Sequence, residues 1–399
     1  MNPIASKPAP PAFLVRVFLL EALGSVGANL MQYGIFFYMQ KRFGWGARQN
    51  LVLSSAQGMV YVVGALASTP LAHKFDRQKL LRLLTIVMIA CTIIAVYVTT
   101  PAVIVVLLLA YVIASAAQWP LLESLISIGA DSDQLSRRIS IYNLVWSGTG
   151  AVTVAGCGVI IARSQNGIFW AAAAAHVVAL LLLIRIRPLA QHAHAHMDPE
   201  PELIQSRELA KRLSRIALPA TFAVIYAMGA IMPTLPVIQS TSPELRTLVA
   251  GIWMIARWIS FVSLGATIWW HTRPRALLIA AIIMLGTFLG ITLVPQLLCM
   301  ILCQIAMGLA MGLVYSASLY FGMVLSAGST AQGSYHEALI GAGAILGPGC
   351  GALASILQPD NPRASVYAVG TILWLSVMAA CAASLRTRSS VPHHLPLRE

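Results

Sequence analysis

The sequence predicts an all-α polytopic membrane protein, twelve transmembrane helices arranged as two pseudo-symmetric six-helix bundles. Three observations predict it. Of 399 residues, 58% are hydrophobic and only 10% are charged, against about a quarter charged in soluble domains. Apolar runs of roughly 18–28 residues recur along nearly the whole chain, each long enough to cross a ~30 Å hydrocarbon core. Residues 142–158 also reappear in altered form at 335–351, as an internal duplication requires.

The first run, 13–39, follows MNPIASKPAPPAF, which lacks a basic segment leading into a short apolar core and a small-residue cleavage site. It reads as a retained span. The second, 50–72, stops at the basic turn HKFDR, after which come 80–99, 102–129, 139–162 and 167–187. A polar segment, 188–214, then interrupts the apolar pattern. The remaining runs are 215–238, 246–270, 276–294, 296–325, 334–357 and 364–386, with only a short break at Pro295 between two of them. The expected organisation is a first half over 1–187, a cytoplasmic linker over 188–214 and a second half over 215–399.

Basic residues orient the bundle. With both termini in the cytoplasm, 19 of the 26 Lys and Arg fall inside, six fall outside, and Arg257 lies within a span. The net charge of +13 is therefore a property of the inner loops and implies no nucleic-acid partner. All six cysteines lie in apolar runs, as small core residues and not a disulfide framework. Within the linker, His192, His194 and His196 alternate but lack an acidic or Cys partner at ligand spacing, so no metal site is expected. Its later part, Glu202 to Arg215, fits a short amphipathic helix along the membrane surface.

The duplication aligns YNLVWSGTGAVTVAGCG with YHEALIGAGAILGPGCG, pairing Tyr142 with Tyr335, Gly148 with Gly341, Gly150 with Gly343, and Gly156-Cys157-Gly158 with Gly349-Cys350-Gly351. These are the fifth and eleventh spans, the same station in each half. A weaker match joins TPLAHKFDR (69–77) to GATIWWHTR (265–273). Six plus six spans, a central inner loop and a basic turn after the second span resemble the major facilitator superfamily. That family's loop motif, Gly-x-Leu-Ala-Asp-Arg-x-Gly-Arg-Lys, is matched at Leu71, Ala72, Lys74 and Arg77 and missed at Thr69, His73 and Asp76. Its antiporter motif, Gly-x-x-x-Gly-Pro-x-x-Gly-Gly, belongs on the fifth span. Here the better copy is on the eleventh, at Gly343, Gly347, Pro348 and Gly351. The resemblance implies the bacterial inner membrane and alternating access between two halves. Glycines four apart also allow close backbone approach in lipid, and Gly343/Gly347/Gly351, Gly308/Gly312 and Gly286/Gly290 form such stripes.

Four charged residues fall inside spans: Glu21, Glu123, Arg257 and Glu337. Each is costly in hydrocarbon and must face a cavity or a partner. Glu21 sits roughly eight residues into the first span, ~12 Å deep, and shares a helical stripe about 80° wide with Ser25, Asn29 and Gln32. Glu123 follows Gln118 and Trp119 on the fourth span, with Arg137 and Arg138 near enough for an ion pair. Ser334 and Glu337 have capping-box spacing, which offers a structural role beside a proton-coupling one, while Tyr335 and His336 are placed at the cytoplasmic mouth. Arg257, ~16 Å deep in the eighth span, shares a side with Trp253 and Ser260. Gln304, Met311, Tyr315 and Ser318 share a side of the tenth span. For Arg257 two partners stand open, a structural pair with Glu21 or an anionic group on a solute. Candidate solute-binding residues are thus Asn29, Gln32, Gln118, Trp119, Trp146, Trp253, Arg257 and Tyr315, supported by Tyr61, Tyr142, Asn143 and Tyr226. Proton-coupling candidates are Glu21, Glu123, Glu337 and His336.

An aromatic lining with few charges suits a small or medium organic solute. The expected partners are that solute, protons and membrane lipid, with the chain a monomer and no cofactor bound. No Walker loop is present for ATP drive. All five Asp residues lie in loops, and neither Gly-x-Ser-x-Gly nor His-Glu-x-x-His occurs, which argues against an enzyme. A receptor that senses a solute without moving it would use the same cavity. The orientation has a direct check: reporters active only outside the cytoplasm should work when fused after Arg48 or Arg163 and fail after Arg187 or Arg388. The opposite pattern would reverse the topology.

Overall fold

The computed structural model describes residues 10–130, 132–185, 201–324 and 330–389. His192, His194 and His196 lie outside the described residues. Among the described residues, eleven helices are long and apolar enough to cross a membrane, and a twelfth, Ile252–Gly265, is shorter. In order the spans are Pro11–Phe43, Ala47–Lys74, Arg77–Tyr97, Pro101–Ile126, Ser132–Arg163 and Gly167–Ile184, then Pro201–Ile231, Ile252–Gly265, Arg275–Leu293, Leu297–Val324, Thr330–Leu357 and Ala364–Ser389. The break at Pro295 does separate two helices. Spans two and eleven pack against each other along their length, as do five and eight. The halves therefore meet twice, at equivalent stations.

Three elements differ from expectation. The segment Glu202–Arg215, expected as a separate surface helix, is the first part of the single helix that becomes the seventh span. Nothing in the sequence interrupts its helical pattern there, so the helix simply continues. The eighth span, expected over 246–270, is broken: Arg246–Ala250 and Ile252–Gly265 are separate helices joined at Gly251. One side chain closes that break. Gln304 donates from Nε2 to the Val249 carbonyl at 2.9 Å and accepts from the Trp253 N–H at 3.4 Å. Gln304 is thus a backbone surrogate inside the bilayer, where freed amides have no water to turn to. The first span also carries a π-helical turn at Leu30–Gly34, a feature common where a helix serves a site.

The duplicated glycines are contact points. A Cβ on Gly150 would meet the Asn29 side chain of the first span at 2.9 Å, and one on its repeat partner Gly343 would meet the Pro219 carbonyl of the seventh at 2.2 Å. Gly148 faces Trp258 of the eighth span, whereas Gly341 faces Val62 of the second. The first pair makes equivalent contacts, one within each half, and the second faces equivalent spans across the two seams. Gly308 and Gly312 likewise lie against the Trp253 carbonyl and Ser260. Gly286 does not fit the packing reading, since nothing lies within 4 Å of the position its Cβ would take. The sharpest test is Gly347, where a Cβ would stand 2.1 Å from the Ala223 carbonyl oxygen. Gly347→Ala should cost about 1–3 kcal/mol or more through overpacking, read as a lowered melting temperature in detergent. Gly156→Ala, which meets nothing within 4 Å, should be neutral. Equal effects would remove close packing as the reason for the stripe.

Candidate solute-binding cavity

A cavity of about 150 Å³ lies between the two halves. Its wall is drawn from four spans of each half at matching stations: one, two, four and five, and seven, eight, ten and eleven. The first span contributes most, through Glu21, Ser25, Asn29, Gln32, Tyr33 and Phe36. Tyr33 and Phe36, four residues beyond Asn29 and Gln32, extend that stripe, and the π-helical turn Leu30–Gly34 lies within it. Asn29 donates from Nδ2 to the Ser25 carbonyl at 2.8 Å, which holds it against the wall. Tyr226 donates to Gln32 Oε1 at 3.4 Å, a bond from the second half to the first.

The cavity holds one cation and two carboxylates. Arg257 is only 4% exposed, and its guanidinium carbon lies 4.5 Å from the Trp146 ring centroid and 4.9 Å from that of Trp253. Of the two partners open to Arg257, the structural pair with Glu21 does not form: no salt bridge joins them, and Glu21 Oε2 and Arg257 Nε are both without a hydrogen-bond partner. Cation–π contact with two indoles takes its place. Glu21 accepts from the Ser25 hydroxyl at 3.2 Å through Oε1, while Oε2 has no hydrogen-bond partner. Glu337 accepts from the Tyr61 hydroxyl, so this bond joins the second half to the first. The capping reading of Glu337 is corrected: its helix begins at Thr330, about two turns earlier, and a residue so far inside has no free backbone donors to cap.

Asn29, Gln32, Trp119, Trp146, Trp253, Arg257 and Tyr315 all line the cavity, as do Glu21 and Glu337. Gln118, Glu123 and His336 do not. Gln118 is buried against Gly24 of the first span with its Oε1 unpartnered. Glu123 is buried with both oxygens free of hydrogen bonds. Of Arg137 and Arg138, the two arginines near enough for a pair, Arg138 donates to the carbonyls of Ile126 and Ile128 at 2.9 and 2.8 Å. His336 is not at a solvated mouth but is 1% exposed, with Nδ1 3.1 Å from the Ser318 hydroxyl and its ring edge-on to Tyr315. Of the two, only Tyr335 is exposed, under the Arg215 guanidinium at 4.8 Å. Among the supporting residues, Tyr61, Tyr142 and Tyr226 line the wall, and Asn143 stands behind it, accepting from the Trp146 indole at 3.2 Å. Sequence reasoning missed Tyr33, Phe36, Phe222, Met254 and Ile340. Helical spacing could have found some of them: Phe222 precedes Tyr226 by four, and Ile340 follows Glu337 by three.

The family model described as Major Facilitator Superfamily matches residues 17–348. Among solved structures, the nucleoside transporter NupG superposes with a TM-score of 0.66 at 13% identity, covering 96% of this chain and 100% of that one. A bacterial homolog of the human lysosomal transporter Spinster, in an inward-facing and unoccupied conformation, gives 0.63 at 15% identity with 96% of each chain covered. At such identities the likeness is one of fold. No curated relative matches by sequence.

If the cavity holds water, a thiol on its wall should react from solution. With the six native cysteines replaced, Ser25→Cys should be modified by a small charged methanethiosulfonate far faster than Thr92→Cys. Thr92 is fully enclosed and bonded to the Met88 carbonyl. Equal rates would mean that the first-span stripe is a dry hydrogen-bond network.

Proposed function

The chain belongs to the Major Facilitator Superfamily, and from that premise we propose a secondary active transporter that moves a small or medium organic solute by alternating access, coupled to protons. One observation carries the reading: a single cavity is walled by matching spans of both halves and contains Glu21, Glu337 and Arg257. A site shared by two halves is exposed to one side or the other as the halves rock. Hydrogen bonds between the halves cluster at the end that the basic loops assign to the outside. Arg48 donates to the Ser355 carbonyl at 2.9 Å, Gln40 to the Pro233 carbonyl at 2.8 Å, and the Gly158 N–H to Thr247 Oγ1 at 2.8 Å. They would close that end while the cavity opens inward.

Glu21 is the proposed proton carrier. It is 2% exposed and has no cationic partner, so binding a proton removes the cost of a bare charge in hydrocarbon. A thermal-shift screen of purified protein supplies the solute, because ligand binding raises the melting temperature. In proteoliposomes, Glu21→Gln should lose accumulation driven by an imposed pH gradient while exchange at equal pH remains measurable. Undiminished pH-driven accumulation would eliminate Glu21. Binding without any exchange by the wild type would mark a sensor instead.

A further inference from the structure

Resting on the transporter reading above, we propose that the solute is an organic monoanion with a flat aromatic body, and that it enters the cavity with one proton. The starting point is Arg257. Its guanidinium lies over two indole rings, one from each half, yet its Nε–H is buried without an acceptor. Ring faces attract the charge but accept little from N–H donors, so the edge of the planar fork is left unsatisfied. A carboxylate fits that edge with two parallel hydrogen bonds. The surrounding wall is aromatic: Tyr315 lies 5.1 Å from Trp146 and 6.3 Å from Phe222, which in turn lies 6.3 Å from Tyr226. Such rings accommodate a flat apolar body by stacking or edge contact.

The proton follows from charge balance. The titratable groups facing the cavity are Arg257 of the eighth span, Glu21 of the first and Glu337 of the eleventh, together with five tyrosines. Tyr33, Tyr61, Tyr142, Tyr226 and Tyr315 are neutral donors. Behind the wall, Glu123 and His336 have no charged partner among the described residues and stay neutral. A low-dielectric site disfavours net charge. When the cavity is empty, one of the two carboxylates balances Arg257 and the other holds a proton. A bound monoanion takes over the balancing role. The remaining carboxylate must then take up a proton, so one anion and one proton are loaded together and the cavity stays neutral.

The test uses the whole protein in nanodiscs. The probes are benzoate, 4-hydroxybenzoate and indole-3-acetate, each with its neutral amide, and benzylamine as the opposite charge. Calorimetry in two buffers of different ionisation heat counts protons. Each acid that binds should do so about tenfold or more tightly than its amide and take up close to one proton. Arg257→Lys, checked for an unchanged melting temperature, should erase that preference while amide affinity holds. Amides binding as well as acids, preference for benzylamine with proton release, acid binding without proton uptake, or no binding by any acid would each overturn the proposal. Counterflow separates it from the transport reading. An amide or amine that exchanges keeps transport and removes the anion site, whereas an acid that binds with one proton but does not exchange supports the site and removes transport.

Discussion

Hydrocarbon accepts no hydrogen bonds and solvates no charge, so every polar group in a span must find its partner inside the protein. That constraint orders most of this molecule. Thr85 and Thr92 return their hydroxyls to the carbonyls of Leu81 and Met88 one turn back. Tyr111 pairs with His176 Nε2 at 2.8 Å within the first half, leaving Nδ1 without a partner. Gln304 bridges the broken eighth helix with both ends of its amide. Against that background the exceptions stand out. Glu123 and Gln118 keep unpartnered oxygens behind the cavity wall, while Glu21 and Arg257 each keep an unpartnered atom on it, a cost that a ligand in the cavity would offset.

The second consequence concerns how helices touch. Without a hydrophobic drive between spans, association depends on close van der Waals contact. The repeat supplies it at the same places twice. Gly150 lets the fifth span rest on the first, and Gly343 lets the eleventh rest on the seventh. Gly148 and Gly341 do the corresponding work across the seam between halves. Duplication thus explains why four spans of each half reach the cavity at matching stations, with the charged groups then placed asymmetrically on that shared frame.

Much of this was legible in the sequence, because lipid imposes length and polarity rules that a single chain cannot evade. The first-span stripe of Glu21, Ser25, Asn29 and Gln32 needed only helical spacing. What failed needed knowledge of neighbours. The Glu337 cap looked sound because the serine three residues earlier has the right spacing, but spacing says nothing about a helix that starts at Thr330. The Arg257–Glu21 pair was matched by depth alone, whereas the cation is taken by Trp253, one turn earlier on its own helix, and by Trp146 of the fifth span. Gln304 was grouped with the tenth-span polar side, and the break at Gly251 that claims it is a tertiary event. Gln118 and Glu123 share the side of Trp119, yet only the indole reaches the cavity.

The seam between the halves is built of two kinds of contact with different strengths. Apart from the charged Arg48 on Ser355, one kind is a neutral side chain on a backbone carbonyl, such as Gln40 on Pro233 at 2.8 Å and Ser55 on Ile345 at 3.2 Å. Each contributes only about 0.5–1.5 kcal/mol net, because water replaces the partner when the bond parts. Nearer the cavity, Gly58 lies against the Ala344 backbone, and a Cβ there would come within 2.5 Å of it. Glycine on backbone allows close approach there, while the Tyr61 hydroxyl donates to Glu337 across the same seam. The tight Gly343 and Gly347 contacts with Pro219 and Ala223 lie within the second half. Any rearrangement of this seam, as alternating access would require, has to part the Tyr61–Glu337 bond, whose carboxylate stands in the cavity wall.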